Sequence, residues 1–376
     1  MKLTVTIARC ITGLLFIFSG LVKAIDPRGL SYKMEEFFEA WANAGFMKSM
    51  MAQLGHQALG FSIFMITLEV VVGLAILLGW QKKIMTWLLF LLIVFFTFLT
   101  SYVLFSGKIK ACGCFGDCIP LTPLQTFTKD IILLTLAVIL LFNRKYILPL
   151  AKPLILSIII LGAAIATLAL QFYVMKHLPL ADCLPYKKGN NILELRKMPA
   201  NAIPDKYAIS FIYEKNGMKK EFTADALPDS TWTFADRQQK LVASGKNNTP
   251  LINDFSFATA SGNDTTEAIL NQPNVYYILF VKDAQGLPKN FAKDRELAMN
   301  AAAKKIDFYI VTGNRQMAEH RYNDLLVKEN LPAIPVFICD ATAIKTAARA
   351  DMVLYKMKAA VVQEKWGWAD FDKVKL

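Results

Sequence analysis

Five stretches of the chain are almost unbroken in hydrophobic residues: about 3–25, 58–79, 84–106, 127–148 and 154–175. Each can cross a bilayer as a helix, which takes roughly 20 residues. The first differs from a cleaved secretory signal: its apolar stretch is too long, Arg9 interrupts it, and no small-residue cleavage site precedes Asp26-Pro27. It is therefore expected to remain as a membrane helix. Between the first two stretches, Phe37, Phe38, Trp41, Phe46 and Met50 form a broken apolar stripe within 31–53. That stripe predicts a helix, either lying at the membrane interface or capping the other helices.

Beyond residue 178 the pattern changes. Pro179 and Pro185 end the helical run. Alternating segments at 207–213 and 218–223 flank Asn216-Gly217, a strong hairpin signal, and a polar stretch at 244–250 reads as a loop. Strands are predicted at 275–281, 307–311 and 336–339, helices at 290–304, 315–329 and 343–349, and a hairpin pairing 352–355 with 360–363. Strands alternating with helices imply a mainly parallel sheet covered on both faces, and the closing hairpin gives the β-α-β…β-β-α order of a thioredoxin-like fold. The expected division is a membrane domain at 1–148, a fifth membrane helix at 149–178, a hairpin-containing connection at 179–262, and a thioredoxin-like α/β domain at 263–376.

Composition agrees with lipid: 55% of residues are hydrophobic and only 19% charged, where soluble chains are about a quarter charged. The net charge of +12 is spread unevenly, with 15 Lys and Arg against 7 Asp and Glu in residues 1–178, and 27 against 23 in the rest. With no basic stripe interleaved with aromatics in the second half, nucleic acid is not an expected partner; the bilayer is. The short, acid-free turns holding Lys82-Lys83 and Arg144-Lys145, with Lys152 just beyond and Lys2 at the start, should face the cytoplasm. Five crossings then put the N-terminus inside and the second half outside, in the periplasm of a diderm bacterium, with the chain in the inner membrane.

The six cysteines are Cys10, Cys112, Cys114, Cys118, Cys183 and Cys339. Three fall in Cys112-Gly-Cys-Phe-Gly-Asp-Cys118, on the loop between the third and fourth membrane helices. Thiol exchange needs an accessible thiolate and a second sulfur to resolve it. Gly113 and Gly116 relax the backbone so that the sulfurs can meet; Lys108 and Lys110 would favour a thiolate and Asp117 oppose it. A Cys112–Cys114 bridge would be strained and easily reduced, while Cys118 could pair with either neighbour or with Cys183. Competing readings are a structural disulfide, a zinc site completed by His56 or His177, and inert thiols. Cys10 is expected to pack within its helix and Cys339 within the soluble core.

Arg9 and Glu69 lie deep within helices one and two, where an ionised group is costly unless paired. Both are placed in the inner half of the bilayer, and an ion pair between them is the expected solution. Glu69 could otherwise relay protons or anchor a quinone. Lys23 and Asp130, near helix ends, are expected to snorkel to the interface.

Arg9-Cys-Ile-Thr-Gly-Leu-Leu-Phe-Ile-Phe-Ser-Gly-Leu-Val-Lys23 followed by Asp26-Pro27 resembles the first-helix signature of the DoxX superfamily, and Leu68-Glu69 with Gly73 and Leu77-Leu78-Gly79 resembles its second helix. Cys112-Gly-Cys-Phe-Gly116, with Asp130 opening the next helix, is similar to the MauE branch, named for methylamine utilisation. The resemblance covers residues 1 to about 148. It implies a four-helix membrane bundle, here with a fifth helix, and MauE is associated with maturation of a disulfide-rich periplasmic subunit alongside a thioredoxin-like partner. A thioredoxin-like domain fused to such a bundle resembles DoxX-type proteins of Bacteroidetes. By this resemblance Cys112 and Cys114 are the redox pair, and Arg9, Lys23 and Glu69 the polar core of the bundle.

The soluble half departs from a working thioredoxin. Asp283 to Pro288 holds no cysteine where Cys-x-x-Cys is expected, and Ala350-Asp351 stand where a proline would precede the last hairpin. That domain is therefore expected to dock or bind rather than to carry electrons. The function expected overall is a membrane thiol–disulfide or maturation factor for periplasmic client proteins. It would use Cys112, Cys114 and Cys118 and exchange electrons with a quinone. The alternative is a non-enzymatic scaffold that anchors a redox-inactive domain. A transporter is disfavoured because paired broken half-helices are missing.

Overall fold

The structure is a computed structural model; it describes the chain except residues 110–111, 244, 284–287 and 289–290. The first half is helical: α1 Lys2–Ala24, α2 Pro27–Asn43, α3 Lys48–His56, α4 Ala58–Leu78, α5 Lys82–Ser106, α6 Pro123–Phe142 and α7 Pro153–His177. Helices α1, α4, α5, α6 and α7 are long and apolar enough to span a membrane, at the five places the hydrophobic pattern predicted. The protein is a multi-pass membrane protein.

Antiparallel packing of α1 on α4 organises the bundle, and small residues make it possible. A Cβ on Gly13 would stand 2.9 Å from the Gly73 carbonyl, and one on Gly73 would stand 2.8 Å from the Cβ of Phe16. At Gly20 it would meet Val70 Cγ2 at 2.6 Å. The two backbones therefore touch along most of their length. Helix α7 is the outlier: it leans on α4, where Gln171 Nε2 donates to Thr67 Oγ1 at 3.0 Å, and leaves Leu154, Ile158, Leu161 and Ile165 exposed toward lipid.

This register overturns the expected Arg9–Glu69 pair. Helix α4 starts level with the beginning of α2, where Ser62 Oγ donates to the Pro27 carbonyl at 2.8 Å. Glu69 is thereby carried to the level of Ser19, about 15 Å along the axis from Arg9 at 1.5 Å per residue. Lys23 reaches Glu69 instead, Nζ to Oε2 at 2.5 Å, with both side chains buried. Arg9 is satisfied by carbonyls: Nε donates to Ile76 O at 2.8 Å, Nη2 to Leu77 O at 2.6 Å and Nη1 to Leu148 O at 3.0 Å. The last carbonyls of a helix lack intrahelical partners and carry its negative dipole end, so a guanidinium there needs no carboxylate. The expected snorkelling of Lys23 and Asp130 is also overturned. Both are buried, because each has a partner inside the bundle; Thr100 Oγ1 donates to Asp130 Oδ2 at 3.0 Å.

Helix α2 caps the bundle. Asp26 N-caps it, accepting from Gly29 N at 3.1 Å, and Phe37 and Phe38 are buried against Tyr102 and Phe61. The rest of the predicted stripe divides from this: Phe46, in the α2–α3 turn, and Met50, in the first turn of α3, are exposed.

The second half opens with α8 Ile192–Arg196 and an antiparallel sheet of β1 Lys206–Lys215, β2 Met218–Thr223 and β3 Thr233–Ala243, in the order β2-β1-β3. Asn216 (φ 52) and Gly217 (φ 78) form the tight turn that the Asn-Gly pair predicts. Strand β3 was not foreseen; its described side chains are exposed on both faces and so lack the alternation that marks a half-buried strand.

Next come α9 Thr266–Leu270, β4 Val275–Val281, α10 Lys293–Ala303 and β5 Phe308–Thr312. A helical run follows, with α11 Arg315–Ala318 passing through a π turn, Glu319–Asn323, into α12 Asp324–Lys328. The chain then forms β6 Val336–Ile338, α13 Ala341–Ala347, β7 Met352–Lys358, β8 Val361–Gly367 and a 3₁₀ turn, Trp368–Lys373. Asn290, the predicted start of α10, lies outside the described residues. The sheet order is β6-β5-β4-β7-β8, with β4, β5 and β6 parallel and β7 and β8 antiparallel. Tyr276, Ile278 and Phe280 face a core with Phe255, Phe257 and Ile344, while Tyr277, Leu279 and Val281 face Leu297, Tyr322 and Leu326. The sheet is thus covered on both faces, as the strand–helix alternation implies.

The α/β half is clamped to the α1–α2 end of the bundle by charge. Arg349 Nε lies 3.0 Å from Asp26 Oδ2 and its Nη2 2.5 Å from Asp117 Oδ2. Arg28 pairs with Asp351 at 2.6 Å, Lys345 with Glu35 at 2.6 Å and Lys365 with Asp182 at 2.6 Å.

Two stability outcomes follow from this packing. Gly73→Leu should force α1 and α4 apart and cost about 1–3 kcal/mol of overpacking strain, read as a lowered melting temperature in detergent. Glu69→Ala strands Lys23 and should cost about 3–5 kcal/mol, whereas the double variant Lys23→Met/Glu69→Met recovers most of it. Equal melting of the single and double variants would show that the pair is not what the site requires.

Candidate functional site

The cysteine loop connects α5 to α6. Helix α5 stops at Gly107 in a left-handed conformation (φ 61), and α6 starts at a capping box in which Thr122 and Gln125 satisfy each other's backbone N–H groups. Between them Gly113 (φ 72) and Gly116 (φ 60) adopt conformations costly for other residues, and a turn closes with Gly116 N donating to Gly113 O at 2.9 Å. Ser19 Oγ of α1 donates to the Cys114 carbonyl at 3.0 Å, tying the loop over the bundle.

Cys112 and Cys114 are brought together as free thiols, their sulfurs 3.5 Å apart. Both are buried, at 7% and 9% exposure. Cys118 is not with them. It is disulfide-bonded to Cys183, Cα to Cα 5.0 Å, linking the loop to the segment that follows α7. With Cys118 so engaged and His177 Nδ1 2.9 Å from Asp370 Oδ2, the zinc set does not assemble; no metal-holding cluster occurs among the described residues.

Below Cys114 is an internal cavity lined by Ser19, Lys23, Glu69, Phe115, Lys129 and Asp130, among others. It holds two ion pairs, Lys23–Glu69 and Lys129–Asp130, the latter at 2.8 Å. Lys23 stands over the Phe96 ring at 4.9 Å and Lys129 over Phe115 at 5.0 Å. The charge that matters to the thiols thus comes from within the bundle. Lys108 is exposed and Asp117 is turned to Arg349, while Lys110 lies outside the described residues. Lys129 was missed from sequence. Its signal was a charged pair, Lys129-Asp130, two turns into an apolar helix.

The two thiols are unequal. The hydrogen bond between the two sulfurs holds Cys114 below the ordinary thiol range, against burial, with Lys129 and Lys23 adding to the effect. The same hydrogen bond, with burial, pushes Cys112 well up. Cys114 is therefore the thiolate-favouring member of the pair.

Comparison with known proteins adds a family. Residues 1–143 match the family Methylamine utilisation protein MauE. The membrane half is MauE-like. Cys112, Cys114, Asp130, Lys23 and Glu69 all fall inside the matched segment. Residues 207–244, which span all but the first residue of the three-stranded sheet, match a domain of unknown function, DUF8463. The chain is 39% identical to Protein TlpB of Flavobacterium psychrophilum over 85 residues, 22% of this chain and 23% of that relative. The match thus spans less than a quarter of the relative's length. No solved structure matches the chain.

The remaining cysteines part company. Cys339 is buried in the α/β core, as expected, and burial pushes its thiol up to about 11. Cys10 does not pack inward. The buried face of α1 runs through Val5, Ala8, Thr12, Phe16 and Ser19, which leaves Cys10 exposed on the opposite face.

Cys114 should therefore alkylate with iodoacetamide at lower pH than Cys112, and Lys129→Met should move its profile to higher pH. Peptide mass spectrometry of the full chain in detergent reads both. Coincident profiles for the two thiols would contradict the assignment.

Proposed function

We propose that the protein is a membrane thiol–disulfide factor that exchanges electrons with cysteines of periplasmic client proteins through Cys112 and Cys114. The observation that carries this reading is the pair of buried thiols 3.5 Å apart, one favoured as thiolate, above a cavity with two lysine–carboxylate pairs. In the reducing direction the Cys114 thiolate attacks one sulfur of a client disulfide. The client S–S bond breaks, and its other sulfur leaves and takes a proton. Cys112 then loses its proton and attacks the Cys114 sulfur, freeing the second client thiol and leaving a Cys112–Cys114 disulfide. The client has gained two electrons and two protons; the loop has lost them. A membrane quinol would return both, becoming a quinone, and the sequence run backwards oxidises the client.

Orientation supports the chemistry. The acid-free basic turns mark one end of the bundle as cytoplasmic. The cysteine loop, the Cys118–Cys183 bond and the α/β half are all at the other end, and a disulfide persists where the compartment oxidises. These features support a chain in an inner membrane with its N-terminus inside and its α/β half in the periplasm. The β4-α10-β5 unit followed by the β7–β8 hairpin supports a thioredoxin-like reading of that half, with β6 added at the edge, within the DoxX-type arrangement. Lacking Cys-x-x-Cys, it would serve to dock clients. Arg349 and Asp351, beside the place where a thioredoxin proline is expected, instead hold it to the membrane half.

One observation favours a second reading, a non-enzymatic scaffold: Cys118–Cys183 and the ion pairs around Arg349 brace the cysteine loop rather than free it. Thiol trapping in whole cells separates the two. For the redox reading, Cys112→Ser should accumulate mixed disulfides between Cys114 and client proteins. An unchanged client redox state in Cys112→Ser/Cys114→Ser cells would leave the scaffold.

A further inference from the structure

At the end of the bundle opposite the cysteines, two short connections that are 60 residues apart in the chain close on each other. The α4–α5 turn brings Lys82 and Lys83, and the α6–α7 connection brings Arg144 and Lys145, to one open cleft walled by Trp80 and Leu156. The cleft is built rather than incidental. Arg9 Nη1 donates to Leu148 O at 3.0 Å, Lys82 Nζ to Ile147 O at 3.0 Å, and Leu150 N to Leu78 O at 3.0 Å, so the floor is pinned to α1, α4 and α5. Gly79 (φ 72) is required at its edge, where a Cβ would meet the Leu148 carbonyl at 2.6 Å. Trp80 Nε1 donates to Ser157 Oγ at 3.0 Å, fixing the ring as one wall.

Within this frame Lys83, Arg144 and Lys145 have no carboxylate partner among the described residues, and no acidic side chain lines the cleft. Positive charge concentrated without counter-charge beside a low-dielectric slab attracts an anion. The neighbouring surface is apolar: Ile84, Trp87, Leu150, Leu154 and Ile155 are all exposed on the flanks of α5 and α7. A ligand that satisfies both must carry a phosphate-type anion at one end and long hydrocarbon chains at the other.

We infer that this cleft is a binding site for the headgroup of an anionic phospholipid, whose acyl chains lie along α5 and α7. Arg144 offers a planar fork to the phosphate oxygens, and Lys83 and Lys145 offer point charges. The site is independent of the thiol chemistry at the other end. Basic pockets between membrane helices hold anionic headgroups in this manner, and the binding would weaken with salt.

The test uses the full-length protein in neutral detergent micelles. Native mass spectrometry and thermal unfolding are read with added phosphatidylglycerol, phosphatidylcholine or inorganic phosphate. Phosphatidylglycerol should be retained and should raise the melting temperature, while phosphatidylcholine does neither. Lys83→Gln/Arg144→Gln/Lys145→Gln should weaken retention roughly hundredfold, from the attraction of each basic side chain for an anionic headgroup. Lys48→Gln/Lys108→Gln/Lys187→Gln removes the same charge elsewhere and should leave retention unchanged. The single exposed variant Lys83→Gln guards against loss of folding in the triple and should weaken retention severalfold. Equal retention of the two lipids, equal loss in both triple variants, or the same melting shift with inorganic phosphate alone would each overturn the lipid site.

Discussion

The Lys23–Glu69 ion pair, buried between α1 and α4, constrains the rest of the molecule. Two charges taken out of water are tolerable only when they meet at bonding distance. They meet here because Gly13, Gly20 and Gly73 let the two backbones approach in one register. Slide either helix by a turn and both charges are stranded while Gly73 no longer faces Phe16. The same register delivers Arg9 to the last carbonyls of α4. Polar satisfaction and close packing thus select one alignment together.

From that alignment the cysteine end is assembled. Lys23 and Glu69 form one side of the cavity under Cys114, and the capped start of α6 sets Lys129 and Asp130 on the other. Burial would ordinarily keep both thiols protonated. Their mutual hydrogen bond and the two ammonium groups divide that burden unevenly, so that Cys114 alone is lowered. Above them, the Cys118–Cys183 bond and the Arg349 contacts with Asp26 and Asp117 hold the loop and the α/β half as one assembly. The thiols are therefore close, unequal and shielded.

The two ends of the bundle have opposite characters for one reason. The carboxylates of the first half, apart from those inside the bundle, lie with α2 and the cysteine loop, where Asp26, Glu35 and Asp117 are met by cations of the α/β half. At the other end Lys83, Arg144 and Lys145 have no such partner among the described residues, and Arg9 is spent on carbonyls. Any counter-charge there has to come from outside the chain.

The hydrophobic pattern alone determined the five membrane helices, the division into a helical and an α/β half, and the sequence of strands in the five-stranded sheet, because burial in lipid or in a two-sided core leaves a period or an unbroken run. The clustered cysteines drew attention to the 112–118 loop, and the resemblance to MauE pointed within it to Cys112 and Cys114. What the pattern did not carry was depth and pairing. Glu69 lies at the middle of its own run, and only the offset of α4 against α1 shows that it is level with Lys23 rather than Arg9. Cys118 had three possible partners by spacing, and the fold chose Cys183 by bringing the end of α7 beside the loop. Strand β3 left no alternation because its described side chains are exposed on both faces. The grouping of Lys83, Arg144 and Lys145 likewise exists only once two turns 60 residues apart are folded together. Periodicity reports which side of an element is buried; which element it is buried against, and at what height, is settled by contacts between segments that the sequence does not place side by side.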